Sequence, residues 1–522
     1  MTSIAVQTSA ELGVHSRDAT PPAAHASLQS HVGRRDPIAI LERQAASRVP
    51  ELVPIRHGRM LASPFAFFRG AAAVMAADLA GTPDSGIRVQ LCGDAHLANF
   101  GLFASPERRL VFDLNDFDET HPGPWEWDVK RLTASLEIAA RANGFGRKHR
   151  RAIQLATVRA YQDAMAAFAG MHELDVWYAQ ADVAELKHML KDQLKKARRK
   201  AVDKSIERAR TRNSRRAMGK LTALEDGRRH IVADPPLIVP VRDLLTEDDR
   251  ADFEERVRVL LGKYRDTLQS DRRTLLDKFE FVDMARKVVG VGSVGTRCWI
   301  VLMYGRDDND PLFLQIKEAQ RSVISEYGGV KSVRGVEAGS GSGSRAESGK
   351  AEEGATLGLG GDRRERGQAR AIGPRAQPPL LGRSLAVPHH ERCQGKRVVD
   401  GQRLMQAASD IFLGWETADG IDGQRRDFYV RQLADWKGSA TVEDMVPDGM
   451  RDYGRLCGWT LARAHARTGD RVAIASYLGD DTTFAHAIAE FASAYADQNE
   501  HDYAAMRAAM RSGRIAVEPD FR

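Results

Sequence analysis

Residues 281–320, "FVDMARKVVGVGSVGTRCWIVLMYGRDDNDPLFLQIKEAQ", constrain the fold of this 522-residue chain more than any other stretch. They read as strand, glycine-rich turn, strand, acidic turn and strand, because apolar runs alternate with short clusters of turn residues. Such a run predicts a small antiparallel sheet. Later segments extend it: "RVVDGQRLMQAAS" predicts a helix, and "DIFLGWE" and "RDFYVRQLADW" predict two more strands.

Between these blocks lies chain that cannot build a core. Residues 328–411 contain no Phe, Trp or Tyr, and their middle, "EAGSGSGSRAESGKAEEGATLGLGGDRRERGQ", is of low complexity. Helical spacing dominates elsewhere. "PFAFFRGAAAVMAADLAG" predicts one helix from Pro64 to a stop at Gly81, and "WEWDVKRLTASLEIAARANGFG" predicts another. Residues 149–216 read as helical throughout, "DGRRHIVADPPLIVPV" as a hairpin or irregular segment, and the chain from about 440 as helical. The first 34 residues, rich in Ser, Ala, Pro and Thr, read as disordered. The expected organisation is therefore a disordered segment (1–34), a helical part carrying acidic loops (35–180), a basic helical connector (181–278), a sheet (279–331), a low-complexity insertion (332–392), the rest of the sheet (393–440) and C-terminal helices (441–522).

The acidic loops carry the chemistry. In "VQLCGDAHLANFG" a short strand leads into Asp94, His96 and Asn99, and ten residues later "VFDLNDFDE" supplies Asp113, Asp116 and Asp118. Phosphoryl transfer needs a carboxylate to accept or orient the nucleophile's proton, and oxygen ligands for Mg²⁺. Asp94 suits the first role. Asn99 and Asp113 suit the second, with Asp113 the principal metal carboxylate and Asp116 and Asp118 further candidates. His96 either binds a phosphate or braces the loop. The alternative is a hairpin whose Asp and Asn residues cap backbone groups at turns.

Gly290, Gly292 and Gly295 form GxGxxG, with Ser293 between them, but "TRCWIVLM" follows as a strand and not as the helix a Rossmann turn requires. A glycine hairpin over nucleotide phosphates is the kinase-type arrangement, and it calls for a Lys on the next strand. Lys317 stands there, 22 residues past Gly295. It would pair with the α- and β-phosphates, steadied by a carboxylate on a helix. Asp400 is the first candidate for that carboxylate, ahead of Glu318 and Glu326. The plain alternative is a tight hairpin with a Lys at a strand edge.

"GDAHLANFGLFASPERRLVFDLNDFDETHPGPWEWDVKRL" resembles the catalytic core of the aminoglycoside phosphotransferase and choline kinase group, of the protein-kinase-like fold. The resemblance implies Asp94 as catalytic base, Asn99 and Asp113 as metal ligands, and Asp128 as an anchor for the helix that follows. It implies ATP and Mg²⁺ as cofactors, a small-molecule acceptor, and an α+β, two-lobed fold with a helical large lobe and an antiparallel-sheet small lobe. In ordinary kinases the glycine loop and Lys precede the catalytic Asp; here they follow it. Either the fold is circularly permuted or one motif is coincidental. The chain is also similar, over most of residues 35–510, to the bacterial family known as domain of unknown function 2252. The stretches that carry this include "RHGRMLASPFAFFRGAAA", "QLCGDAHLANFG", "GQRLMQAASDIFLGW" and "LARAHARTGD". In the last, His465 and Asp470 have an accessory role at most, and Arg69 contacts either a carboxylate or phosphate or a structural salt-bridge partner.

Composition narrows the functions. Residues 187–220 hold 14 Lys and Arg against three acidic residues, so they outweigh the chain's net charge of +6 and leave the remainder negative. With no aromatic residue to stack a base, the segment reads as a solvated helical face before an anion contact or a nucleic-acid site. No run of about 18 apolar residues suggests a membrane span, and no basic start with an apolar block suggests a secretory signal. Cys92, Cys298, Cys393 and Cys457 are far apart, so a reducing cytoplasm is the expected compartment. The expected function is an ATP- and Mg²⁺-dependent phosphotransferase. AMP transfer, nucleotide binding without turnover and metal-dependent hydrolysis are the alternatives.

Overall fold

A computed structural model describes residues 8–28, 33–184, 203–204, 206–225, 227–328, 393–420, 422–433 and 435–518. The low-complexity stretch 332–392, and residues 187–202 and 205 of the basic segment, lie outside the described residues. All described residues fall within one unit, a mixed α+β arrangement of helices and antiparallel sheets. Among them, no helix is long and apolar enough to cross a membrane.

The N-terminal segment departs from expectation. Instead of disorder, residues 9–19 form helix α1 (Ser9–Ala19), which opens with a capping box between Thr8 and Glu11. Composition misses it because α1 is held by docking and not by apolar content. A Cβ on Gly13 would lie 2.2 Å from the Ala473 carbonyl, so only Gly permits the approach. Arg17 donates to the carbonyls of Tyr477 and Leu478, both at 2.7 Å, and the buried His25 packs edge-on against Tyr477 and Phe484.

Helices α2 (Pro37–Ala45) and α3 (Val53–Met60) follow. The single helix expected from Pro64 to Gly81 is two, α4 (Pro64–Gly70) and α5 (Ala72–Leu79). The break comes where outside guanidiniums take the backbone acceptors: Arg131 bonds the Phe68 carbonyl and Arg56 the Gly70 carbonyl. Strands β1 (Arg88–Leu91), β2 (Phe100–Ala104), β3 (Leu110–Leu114) and β4 (His121–Pro124) come next. β1 pairs with β4, whereas β3 lies between β2 and β5 (Ala181–Asp182). The two acidic loops thus leave different sheets and meet. β5 also interrupts the run 149–216 that reads as wholly helical: Ala181 and Asp182 pair with Phe112 and Val111, and Arg109 binds the Asp182 carboxylate at 2.9 Å.

Helix α6 (Trp125–Ala142) runs through the main core, so even Glu126, Asp128, Lys130 and Arg131 are buried. Around it pack α7 (Arg147–Ala169) and the C-terminal helices. The "DGRRHIVADPPLIVPV" region forms a hairpin of β6 (Thr222–Glu225) and β7 (Arg228–Ile231), then β8 (Ile238–Pro240). Helix α8 (Glu247–Asp266) follows. The three expected strands are β9 (Glu280–Lys287), β10 (Cys298–Tyr304) and β11 (Pro311–Glu318). Helix α9 (Gln394–Met405) precedes β12 (Gly414–Asp419) and β13 (Arg425–Gln432). They form one antiparallel sheet in the order β12-β13-β11-β10-β9-β8. One face is covered by an apolar cluster with Val257 and Tyr264 of α8. The chain ends with α10 (Pro447–Ala466), α11 (Arg471–Leu478) and α12 (Thr483–Arg511), as the C-terminal pattern predicts.

Candidate functional site

Asp94 is held from below by α6. Asp128, in the first turn of that helix, accepts the N–H groups of Cys92 at 2.7 Å and Gly93 at 3.0 Å. Gly93 has φ +81°, and a Cβ there would strike the Glu119 carbonyl at 2.1 Å, so no other residue fits this turn. Three residues after Asp128, on the same helix face, Arg131 donates from Nε to Asp94 Oδ1 at 2.7 Å. The Asp94 side chain is nonetheless 24% exposed. His96 is buried, its Nε2 lying 3.7 Å from Asp94 Oδ2. Burial pushes the imidazole down to about 4, so it is neutral at pH 7. Its Nδ1 has no hydrogen-bond partner among the described residues.

Asn99 joins the two acidic loops. Its Nδ2 donates to the carbonyls of Asp94 at 3.1 Å and Asp116 at 2.9 Å, and its Oδ1 accepts the Asp116 N–H at 2.8 Å. The amide expected as a metal ligand is therefore a brace that fixes Asp94 relative to Asp116.

The second loop meets the six-stranded sheet. Lys317, on β11 and fully buried, donates to Asp116 Oδ2 at 3.1 Å and Asp118 Oδ2 at 2.6 Å. Tyr429, opposite Lys317 on β13, donates to Asp118 Oδ1 at 2.6 Å. Burial alone would raise the Asp116 carboxyl, but Lys317 and Arg431 outweigh it and hold the group below the ordinary carboxylate range. Asp118 shifts upward, from burial and from Asp116 beside it. Burial opposes charge on Lys317, and the two aspartates overcome it and raise the ammonium well above its ordinary value. Both carboxylates stay partly open, at 39% for Asp116 and 30% for Asp118.

The glycine turn closes over this cluster. Gly290 and Gly295 take φ +64° and +88°, and Ser293 donates to Asp118 Oδ2 at 3.2 Å. Gly292 passes close to the Arg69 carbonyl, which a Cβ would meet at 3.4 Å. The loop is pinned: Arg59 donates to the Gly290 carbonyl at 2.7 Å, the Val49 N–H to the Gly295 carbonyl at 2.8 Å, and Val294 is buried with Val49, Leu52 and Ile55.

Two expected site residues fall elsewhere. Asp113, expected as the principal metal carboxylate, points into the protein. Arg463 and the Ala407 and Leu114 N–H groups occupy its oxygens, and its side chain is 2% exposed. Asp400, expected to steady Lys317, pairs with Lys396 one turn away on α9. The α9 residue turned to the acidic loop is Arg397, which donates to the carbonyls of Asp118, Thr120 and Gln320. Glu318 engages Arg297 and Arg426, and Glu326 engages Arg43. His465 bridges Asp128 Oδ2 and the Tyr161 hydroxyl, and Asp470 caps α11, so both act in the scaffold.

Sequence reading missed Arg131, Tyr429, Arg397 and Arg431, the last of which donates to the Asn115 carbonyl at 2.8 Å. The i, i+3 spacing of Asp128 and Arg131 was a signal for the first. The two-residue period of β13 places Tyr429 and Arg431 on one face, but nothing local shows that this face carries Lys317. Among the described residues, no group of three or more His, Cys, Asp or Glu is placed to hold a metal. Asp116 and Asp118 form a pair of hard oxygen donors, which suits Mg²⁺ that keeps its waters and shares substrate phosphates.

A family model described as an uncharacterized protein conserved in bacteria (DUF2252) matches residues 48–345 and 374–509. No curated protein and no solved structure matches the chain.

Proposed function

The chain belongs to that bacterial family, whose description names no activity, and we propose on the geometry of its site that it is an ATP- and Mg²⁺-dependent phosphotransferase acting on a small-molecule acceptor. One observation carries the reading. Lys317, Ser293 and the Asp116–Asp118 pair, read from sequence segments about 200 residues apart, share one hydrogen-bonded cluster, and Asn99 ties that cluster to Asp94. A glycine hairpin, a Lys on the third strand and a loop Asp followed by Asn are parts a kinase uses, and the acidic turn Asp116-Phe117-Asp118 follows that loop where a kinase carries Asp-Phe-Gly. The strand order supports a permuted kinase-like fold, because β9, β10 and β11 carry the loop and Lys in kinase order while the catalytic loop precedes them in the chain.

In this reading Asp94 takes the acceptor's proton, and Arg131 keeps it oriented. Lys317 turns from the carboxylates to the nucleotide phosphates. Asp116 and Asp118 would hold Mg²⁺, which neutralises phosphate charge when bound. The reading is tested by titrating Mg²⁺–ATP into the wild-type protein and the Asp116→Asn and Lys317→Ala variants. Mg²⁺-dependent binding lost in both variants supports it; binding indifferent to both sinks it.

A second reading, nucleotide binding without turnover, draws on Asn99, whose amide is already spent on backbone groups. It expects tight Mg²⁺–ATP binding and no effect of Asp94→Asn on slow ATP consumption.

A further inference from the structure

Arg69 presents an unsolved electrostatic problem. It is the next-to-last residue of α4, between Phe68 and Gly70, whose carbonyls Arg131 and Arg56 take up. Its own carbonyl lies under Gly292. The side chain is half-buried, and burial lowers its proton affinity. Yet among the described residues its guanidinium makes no hydrogen bond or ion pair, and its Nε is buried without a partner. Asp94 and the exposed Glu443 lie within electrostatic reach without pairing with it. Among the described residues, the salt bridge expected as its structural role is absent.

The second orphan is His96 Nδ1, on a ring only 8% exposed that senses both Asp94 and Arg69. Arg69 and His96 thus both lie within electrostatic reach of one partly open carboxylate. A buried donor without an acceptor is unfavourable, and native proteins place few of them without a purpose. Arg131 already balances the charge of Asp94, so the guanidinium of Arg69 is the one left for an incoming anion.

We propose that Arg69 forms an anion subsite beside Asp94 and His96 that binds a carboxylate or phosphate carried by the acceptor, close to the hydroxyl or amine that Asp94 deprotonates. This rests on the phosphotransferase reading and adds the acceptor's class: a small anionic molecule. Arg69 supplies a planar, permanently charged fork suited to either anion, and neutral His96, its Nε2 3.7 Å from Asp94 Oδ2, adds no charge of its own beside it.

The probe is inorganic phosphate, followed by calorimetric titration and by the unfolding temperature of the full chain. Phosphate should stabilise the wild-type protein. Arg69→Gln should weaken its affinity by at least about tenfold, the scale of one charge-assisted hydrogen bond, and Arg69→Lys should recover part of it. Saturating Mg²⁺–ADP or Mg²⁺–ATP should leave phosphate affinity nearly unchanged. Equal phosphate affinity in wild type and Arg69→Gln overturns the proposal. So does displacement of phosphate by Mg²⁺–ATP but not by Mg²⁺–ADP, which would assign Arg69 to the transferred phosphoryl group. The unfolding temperature without phosphate shows whether Arg69→Gln is folded, and Arg69→Lys serves if it is not. Nucleotide binding is read separately: Arg69-dependent phosphate binding without any Mg²⁺–ADP binding would end the nucleotide reading and leave the subsite standing.

Discussion

Two aspartates three residues apart meet opposite fates. Asp113 lies inside β3 against Arg463, both side chains sealed at 1–2% exposure. Asp116, just past the strand, shares Lys317 with Asp118, and both carboxylates remain partly open to water. The first pair has every oxygen engaged by fixed donors, so it can only hold the fold together. The second has a buried cation and accessible anions, so it can exchange partners. Residue type did not separate a structural carboxylate from a functional one; the donors around it did.

The sharpest way to break this contrast is to remove the cation from each. Arg463→Met leaves Asp113 buried and unpaired and should cost about 3–5 kcal/mol of stability in chemical denaturation. If the loss is under about 1 kcal/mol, Asp113 is not sealed as described. An acid titration comes next. Burial holds His25 down to about 3 and His96 down to about 4, each below its ordinary value of 6.5. At these two histidines the unfolded chain binds more protons than the native one between about pH 4 and 6.5, so their share of stability should be full above pH 6.5 and fall as the pH drops toward 4, against an opposite drift from Glu119 and Glu126, which burial raises to about 7. Replacing His96 with Gln should remove on the order of 3 kcal/mol of that dependence, from the size of its shift. An unchanged pH slope would show that His96 is solvated.

Lys317→Met should cost less stability than Arg463→Met, because water can reach Asp116 and Asp118. It should weaken Mg²⁺–ATP binding by about 100-fold, or roughly 2.8 kcal/mol. A loss of stability equal to that of Arg463→Met, with no change in binding, would place Lys317 in the scaffold too. The smallest effect belongs to Gly295→Ala. Its φ of +88° and a Cβ 3.1 Å from that of Arg48 predict a loss of about 1 kcal/mol, read from the denaturation midpoint.

Much of the site was legible because its parts are local. The glycine hairpin, the strand carrying Lys317 and the Asp94–Asn99 loop each follow from short patterns of turn residues and alternating apolar residues. The assignment of Asp113 failed for a physical reason: its partner Arg463 is 350 residues away, and no local pattern records which carboxylate a distant helix will cover. Asp400 failed likewise, since spacing places it on a helix without fixing the phase of α9 against the loop, and Arg397 occupies the facing position. Helix α1 was hidden because a Ser- and Ala-rich segment can be ordered by docking at Gly13 and Arg17 without a strong apolar stripe.

By itself the sequence determined the existence and order of the strands β9, β10 and β11, the turn chemistry at Gly290 and Gly295, and the acidic loops, because backbone sterics and hydrophobic periodicity act over a few residues. Tertiary structure alone decided that Lys317 meets Asp116 and Asp118, that Asp113 is locked by Arg463, and that Arg69 and His96 Nδ1 are left without partners among the described residues. Those outcomes depend on burial and on which donors arrive from remote segments, and both are properties of packing.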